Sequence, residues 1–308
     1  MAPQIAAACL LAGTQVVVAA RNPAKAVAAA QQATAWAGVG SSARGLELAP
    51  AAFKTAELVV EAIVEGLVAK EHLLALIEPW VRDEAVISTN TSSLQIGRLA
   101  QSLDHPERFA GFHFLNPAHL TAVVEVVAGE QTDADVVDAL AALSERMGKR
   151  PLRVNKDVPG FIWNRVQFAV LRECVHLIEE GVAGIEAIDA AVADGLAPRW
   201  IGAGPLATAD IGGLATFIKI AEGLFPVLSQ ANDVPSSIYE RVQSGSGFYA
   251  WSVTSQQAVT ELRDRLLSGR ARRDRASPSG DAAGRRPATL RRTSPLIRTD
   301  AGRQECNR

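Results

Sequence analysis

Glu125 stands in the middle of the run Val123-Val124-Glu125-Val126-Val127. An ionised carboxylate among apolar neighbours is costly unless something pairs with it. His113 lies twelve residues earlier, in Gly111-Phe112-His113-Phe114-Leu115-Asn116-Pro117, close enough for a short connection to bring the two together. A histidine oriented by a buried carboxylate is a competent general base near neutral pH. On spacing alone, a satisfied core histidine beside a solvent-facing Glu125 fits as well. The other histidines, His72, His105, His119 and His176, lack a comparable carboxylate context, although His119 is near in sequence.

Two further polar positions fall where chemistry is done. Ser88-Thr89-Asn90-Thr91-Ser92-Ser93-Leu94-Gln95 directly follows a strand pattern, and in a doubly wound sheet such a loop lies at the carboxyl edge, where ligands bind. The same residues also fit a helix capping box, with Ser92 and Gln95 as its two members. Asn164 comes in the first turn of a helix pattern after Pro159-Gly160. Its amide either faces the sheet edge or serves the orphan backbone groups of that helix end. Cys9, Cys174 and Cys306 are far apart, with no CxxC and no Cys/His pair at metal-ligand spacing, so no metal is expected and a reducing, cytoplasmic setting is.

The elements that must position these residues alternate. Residues 4–12 read as a buried helix stopped at Gly13, residues 15–20 as a strand, and Pro23 to Ala37 as an Ala-rich helix. Strand patterns recur at Leu58 to Ile63, Ala85 to Thr89, Arg108 to Phe114 and Val123 to Val127, with a helical pattern from Val68 to Val81. Alternating strands and helices imply an α/β, doubly wound domain with βα units on a parallel sheet. After Asp157-Val158-Pro159-Gly160 only helices follow, at Phe161 to Glu180, Ile185 to Gly195 and Thr208 to Leu224. The reading is therefore a Rossmann-like domain at 1–156, an all-α domain at 157–268 and a disordered Arg-rich tail at 269–308.

Composition supports that division. Of 308 residues, 48% are hydrophobic and 5% aromatic, a soluble profile poor in the stacking platforms that nucleic-acid binding uses. The net charge of −2 averages two unlike parts: residues 269–308 carry eleven Arg, no Lys and four acids, for +7, leaving −9 on the rest. With almost no large apolar residues, the tail cannot offset its ordering entropy. Its mixture of Arg, Pro, Gly and Ala is what a GC-rich gene read out of frame would encode. No run of about 18 apolar residues exists, so no membrane span is expected. The apolar start, Met1 to Ala20, lacks a positive n-region and is broken by Gly13-Thr14-Gln15, unlike a signal peptide.

The runs STNTSSLQI, GFHFLNP, VVEVV, DVPGFIWNRV and GPLATADIGGL, in that order and spacing, resemble the 3-hydroxyacyl-CoA dehydrogenase family. The resemblance extends to Gly245-Ser246-Gly247-Phe248-Tyr249-Ala250-Trp251, similar to the family's closing GxGFYxW. It implies oxidation of an L-3-hydroxyacyl thioester to the 3-ketoacyl thioester with NAD as hydride acceptor. By that resemblance His113 is the catalytic base, Glu125 its orienting carboxylate, Ser92 the hydrogen-bonding partner of the reacting oxygen and Asn164 a substrate-holding group. Glu65 and Lys70 in VVEAIVEGLVAK, with Asn90 and Asn116, match family positions near the ribose and nicotinamide. A homodimer through the helical domain is implied too.

The chain departs from the family in four places. The family opens on a strand and a GxGxxG turn that holds the pyrophosphate. Here Met1-Ala2-Pro3-Gln4-Ile5-Ala6 matches only the end of that turn, with Ala2 at the third glycine. Loss of a central strand would unpair its neighbours, so weak NAD binding is expected. Ala20 stands where an acid would bond the adenosine ribose, and Arg21 follows, which makes NADP possible beside NAD. Asn22 to Leu46 holds only Lys25 and Arg44 as bases, fewer than the family's CoA-contacting stretch, and Gln243 stands near the place of a family lysine. Two alternatives follow: a dehydrogenase of a free hydroxy acid, of gulonate or carnitine type, and a non-catalytic homologue with impaired cofactor binding.

Overall fold

The computed structural model describes residues 1–38 and 40–276, with side chains through residue 269. Helix α1 (Ala2–Leu11) opens the chain. Pro3 lies in its first turn, where a missing N–H costs little. The helix ends at Gly13, whose φ of 74° suits glycine and whose N–H donates to Leu10 O. Strand β1 (Val16–Ala20) follows, then helix α2 (Pro23–Ala37), capped by Asn22, whose Oδ1 accepts from the N–H groups of Ala24 and Lys25. Strand β2 (Ala43–Glu47) runs parallel to β1. It packs so closely on α2 that a Cβ at Gly45 would stand 2.4 Å from Val27 Cα.

Strands β3 (Leu58–Glu61), β4 (Val86–Thr89), β5 (Phe109–Phe114), β6 (Val123–Ala128) and β7 (Arg150–Val154) form a separate sheet in that order. Helix α3 (Leu67–Ile77) connects β3 to β4, and the short helix α4 (Ile96–Ala100) lies between β4 and β5. The β3, β4 and β5 strands are parallel, whereas β6 is antiparallel to β5. An all-parallel reading fails there because residues 115–122 join the two strands without a crossover helix. Helix α5 (Ala134–Arg146) returns the chain to β7, parallel to β6.

Side chains alternate across this sheet, as its period of two requires. Ala110, Phe112, Phe114, Val124 and Val126 face one core cluster, which Ile5 and Ala8 of α1 join. Phe109 and Val127 face the other, with Ile87, Ile96 and Leu99. A third cluster sets Ala6, Ala7 and Leu10 against Val18, Ala30 and Ala33. Helix α1 thus packs against both sheets.

The second part is helical, as expected: α6 (Trp163–Glu179), α7 (Ile185–Ala190), α8 (Ala197–Gly202), α9 (Pro205–Gly212), α10 (Leu214–Leu224), α11 (Ser236–Gln243) and α12 (Val253–Ala276). A π-helical turn over Ala191–Leu196 links α7 to α8. The single helix expected over Thr208 to Leu224 is two, because Gly213 takes φ 86° and breaks it. The last helix reaches Ala276, past Gly269, where the basic segment begins. The remainder of that segment, 277–308, lies outside the described residues. Among the described residues no helix is long and apolar enough to cross a membrane.

Candidate active site

The antiparallel pairing of β5 and β6 sets His113 directly opposite Glu125. His113 Nδ1 and Glu125 Oε2 are 2.6 Å apart, with the histidine 3% and the glutamate 0% exposed. The reading in which Glu125 faces solvent is excluded. Because Nδ1 meets a carboxylate, it carries the ring proton, which leaves Nε2 as an acceptor. Ser92 Oγ stands 3.1 Å from that Nε2 and donates to it. Phe161 packs edge-on against the imidazole, with ring centroids 5.5 Å apart, and is itself 1% exposed.

Glu125 has a second set of partners. Its Oε1 accepts from the N–H groups of Ile162 at 2.8 Å and Trp163 at 2.9 Å, at the start of α6. Burying an ionised carboxylate costs several kcal/mol, and three charge-assisted hydrogen bonds at about 1.5–3 kcal/mol each are enough to offset that. Burial pushes the Glu125 carboxyl up, but the bonds from His113, Trp163 and Ile162 outweigh it and hold the group below the ordinary carboxylate range. Asn164 closes the arrangement from the helical part, its Nδ2 donating to Ser92 O at 3.0 Å.

Ser92 does not form the capping box with Gln95. Gln95 itself occupies the N-cap position of α4, with no side-chain cap bond. The loop is held instead by Glu65, whose Oε1 accepts from Thr91 Oγ1 at 2.6 Å, Ser92 N at 3.0 Å, Ser93 N at 3.0 Å and Ser93 Oγ at 2.9 Å. Burial raises the Glu65 carboxyl, and the bonds from Thr91, Ser93 and Ser92 together with the Lys70 charge bring it below its ordinary value.

Behind this loop lies a buried ion pair: Lys70, expected near the ribose, is instead turned into the core onto Glu61, a partner that the sequence did not single out. Lys70 is 0% exposed, and its Nζ donates to Glu61 Oε1 at 2.9 Å and Oε2 at 2.8 Å. Thr89 Oγ1 also donates to Glu61 Oε2, and the N–H of Ile63 to Oε1. Lys70 Nζ is 3.6 Å from Glu65 Oε2. The available signal was an acid at the end of the apolar run Leu58-Val59-Val60-Glu61, nine residues before a lysine.

The remaining sequence-derived positions are spread along the carboxyl edges of the parallel strands. Asn90, just past β4, is buried, and its Oδ1 accepts from the N–H of Phe114 at 2.7 Å. Asn116 is exposed beyond β5 and precedes Pro117. Arg21 is exposed at the end of β1. The start of α1 stands at the same edge, where Gln4 Oε1 accepts from the N–H of Ala118 at 2.8 Å. A helix N-terminus there suits a phosphate, and the exposed Asn116 and the Ser92 loop leave polar groups for a nicotinamide. These residues fit a dinucleotide cofactor. His119 lies apart from the dyad and stacks on Trp36, with centroids 4.5 Å apart. Among the described residues no group of three His, Cys, Asp or Glu stands close enough to hold a metal ion.

Comparison with known proteins adds three findings. Residues 1–158 match the family model for the 3-hydroxyacyl-CoA dehydrogenase NAD binding domain, and residues 160–250 match that for the C-terminal domain of the same family. The chain is 37% identical over 207 residues to a probable 3-hydroxybutyryl-CoA dehydrogenase of Deinococcus radiodurans, covering 65% of this chain and 73% of that one. It is 32% identical over 219 residues to 5-formyl-3-hydroxy-2-methylpyridine 4-carboxylate 5-dehydrogenase of Mesorhizobium japonicum, covering 69% and 71%.

Among solved structures, a dehydrogenase of that same pyridine carboxylate, described as an NAD+ dependent dismutase, superposes with a TM-score of 0.83 at 30% identity. The superposition covers 90% of this chain and 96% of that one. (S)-3-hydroxybutyryl-CoA dehydrogenase from Ralstonia eutropha superposes with a TM-score of 0.64 at 28% identity, covering 82% and 95%.

Proposed function

Because the chain belongs to the 3-hydroxyacyl-CoA dehydrogenase family of NAD-dependent oxidoreductases, we propose that it oxidises the 3-hydroxyl of an L-3-hydroxyacyl-CoA, with His113 as general base. The observation that carries this reading is the line Ser92 Oγ, His113 Nε2, His113 Nδ1, Glu125 Oε2, with gaps of 3.1 and 2.6 Å. A bound NAD supplies the hydride acceptor; the rest falls to the chain's own groups. His113 Nε2 takes the proton of the substrate hydroxyl. Glu125 holds the ring in the tautomer that leaves Nε2 free and stabilises the imidazolium that forms. Ser92 Oγ hydrogen-bonds the reacting oxygen, and Asn164 holds the substrate from the helical side. Asn90 and Asn116 lie on the nicotinamide and ribose side and Arg21 on the adenosine side; Lys70, fully buried against Glu61, has nothing exposed to offer a cofactor, and Glu65 Oε1 is taken up by residues 91–93.

A second substrate class, a free hydroxy acid, is favoured by two observations. The pyridine carboxylate dehydrogenase superposes better than the hydroxybutyryl-CoA enzyme. Residues 22–46 offer only Lys25 and Arg44, both exposed, to CoA phosphates. Initial-rate assays at saturating NAD with L-3-hydroxybutyryl-CoA and with unesterified 3-hydroxybutyrate decide between the two. Turnover of the thioester supports the first reading, turnover of the free acid alone the second, and turnover of neither rejects both.

The helical part is assigned to a second copy of this chain. Leu206, Ile211 and Phe225 are 84%, 81% and 68% exposed, more apolar surface than a monomer ordinarily leaves in water. Sedimentation equilibrium should show a dimer; a monomer at micromolar concentration would reject the assignment.

A further inference from the structure

Glu65 sits in the connection between β3 and α3, yet four of its five polar contacts reach across to residues 91–93. That loop has no regular structure of its own, since α4 begins only at Ile96. Two adjacent backbone N–H groups, those of Ser92 and Ser93, converge on one carboxylate oxygen, and the hydroxyls of Thr91 and Ser93 converge on the same atom. Thr91 Oγ1 also accepts from the N–H of Leu94 at 3.1 Å, which carries the constraint to the far side of Ser92. The other carboxylate oxygen faces Lys70, which Glu61 pins within the core.

We propose that Glu65 is the positioning residue for Ser92: its carboxylate folds residues 91–93 around one oxygen and so fixes Ser92 Oγ against His113 Nε2. This rests on the dehydrogenase reading, in which Ser92 Oγ meets the reacting oxygen. Glu65 acts through the loop, with Oε1 already engaged by four protein groups, rather than chiefly through the cofactor. The Glu61–Lys70 pair is the buttress. It holds the ammonium 3.6 Å from Glu65 Oε2, which keeps the carboxylate turned so that Oε1 points into the loop. Small displacements of a hydrogen-bonding group at a reacting centre cost large factors in rate, so the clamp has a kinetic signature distinct from that of a binding contact.

The test uses the full chain with Glu65→Ala and Glu65→Gln, and two readouts. The first is kcat at saturating NAD, set beside the NADH dissociation constant from fluorescence titration. The second is amide hydrogen exchange of Ser92 and Ser93. Glu65→Ala is expected to lower kcat about tenfold or more while NADH affinity stays within about threefold, and to speed exchange at Ser92 and Ser93 about tenfold. Glu65→Gln, which keeps an acceptor oxygen of the same shape, should restore most of both and guards against a folding defect in the alanine variant. Weakened NADH binding with kcat preserved would overturn the proposal, and so would unchanged exchange at the two amides. If the unaltered chain turns over neither the thioester nor the free acid, the dehydrogenase reading fails, while the exchange readout still decides whether Glu65 holds the loop.

Discussion

Ser92, His113 and Glu125 are carried on or just beyond β4, β5 and β6, each of which is paired on both sides; Arg21 follows β1, which is paired only with β2. Both regions are short strands packed against helices, parallel in the β1–β2 pair and with one antiparallel step, β5 to β6, in the larger sheet, and they end with different support. In the β3–β7 sheet every strand that bears a proposed catalytic group is hydrogen-bonded left and right, and the side chains are locked by bonds of 2.6–3.1 Å. In the β1–β2 pair the edge away from β2 has no strand partner among the described residues, and contact with the larger sheet comes through α1 and a few side chains such as Ala19. Placement within about half an ångström needs supported elements, so the difference is one of support: the groups on β4, β5 and β6 stand on strands held on both sides, and Arg21 follows a strand held on one.

The sharpest way to break this contrast is to remove the base. His113→Ala should lower kcat by at least about 10²-fold without loss of the fold, since Glu125 keeps the N–H groups of Ile162 and Trp163. Steady-state kinetics with circular dichroism checks both halves of that statement, and an active variant would reject the mechanism.

Next in size is local stability. Backbone amides of β4, β5 and β6 should exchange about a hundredfold more slowly than those of β1 and β2, measured by hydrogen–deuterium exchange with mass spectrometry. Equal protection would show that the two sheets behave as one.

A third effect is the response to acid. The Glu125 carboxyl titrates lower in the folded chain than its ordinary value of 4.5. Folding therefore sheds protons, and the stabilisation is complete above pH 4.5 and is lost as pH falls through the lower, folded value. Urea unfolding at a series of pH values should show that loss below pH 4.5, and Glu125→Gln should flatten it. An identical slope in the variant would mean that Glu125 is not the group responsible.

The smallest effect belongs to the β1 side. Arg21→Ala should move the NADH dissociation constant by less than about threefold, about 0.6 kcal/mol. An affinity that falls tenfold on Arg21→Ala would show that β1 positions its ligand group as firmly as β5 does.

Much of this was legible in the residues because burial leaves a pattern. A lone acid in VVEVV and a histidine in GFHF define strands by their neighbours, and an acid there needs a partner; His113 and Glu125 were readable for that reason. The β2 run, Ala-Arg-Gly-Leu-Glu, lacks apolar alternation because neither face of the strand holds a buried residue, so it could not be read. Helix α5 and β7 also went unread; α5 does carry an apolar stripe, with Val136 and Leu140 buried. The break at Gly213 depends on a positive φ that an apolar helical pattern on both sides conceals. Glu61 and its pairing with Lys70 were hidden for a different reason: a buried ion pair looks, in one dimension, like two solvated charges nine residues apart.

The division of labour within Glu125 has one more consequence. One oxygen serves the histidine ring and the other serves the backbone that starts α6, so the orientation of the base and the seating of the helical part are two readings of a single side-chain torsion. Thermodynamic reciprocity then applies: by whatever free energy the seating of Ile162 and Trp163 on Oε1 changes the hold of a proton on the imidazole, that proton changes the seating of the junction by the same amount.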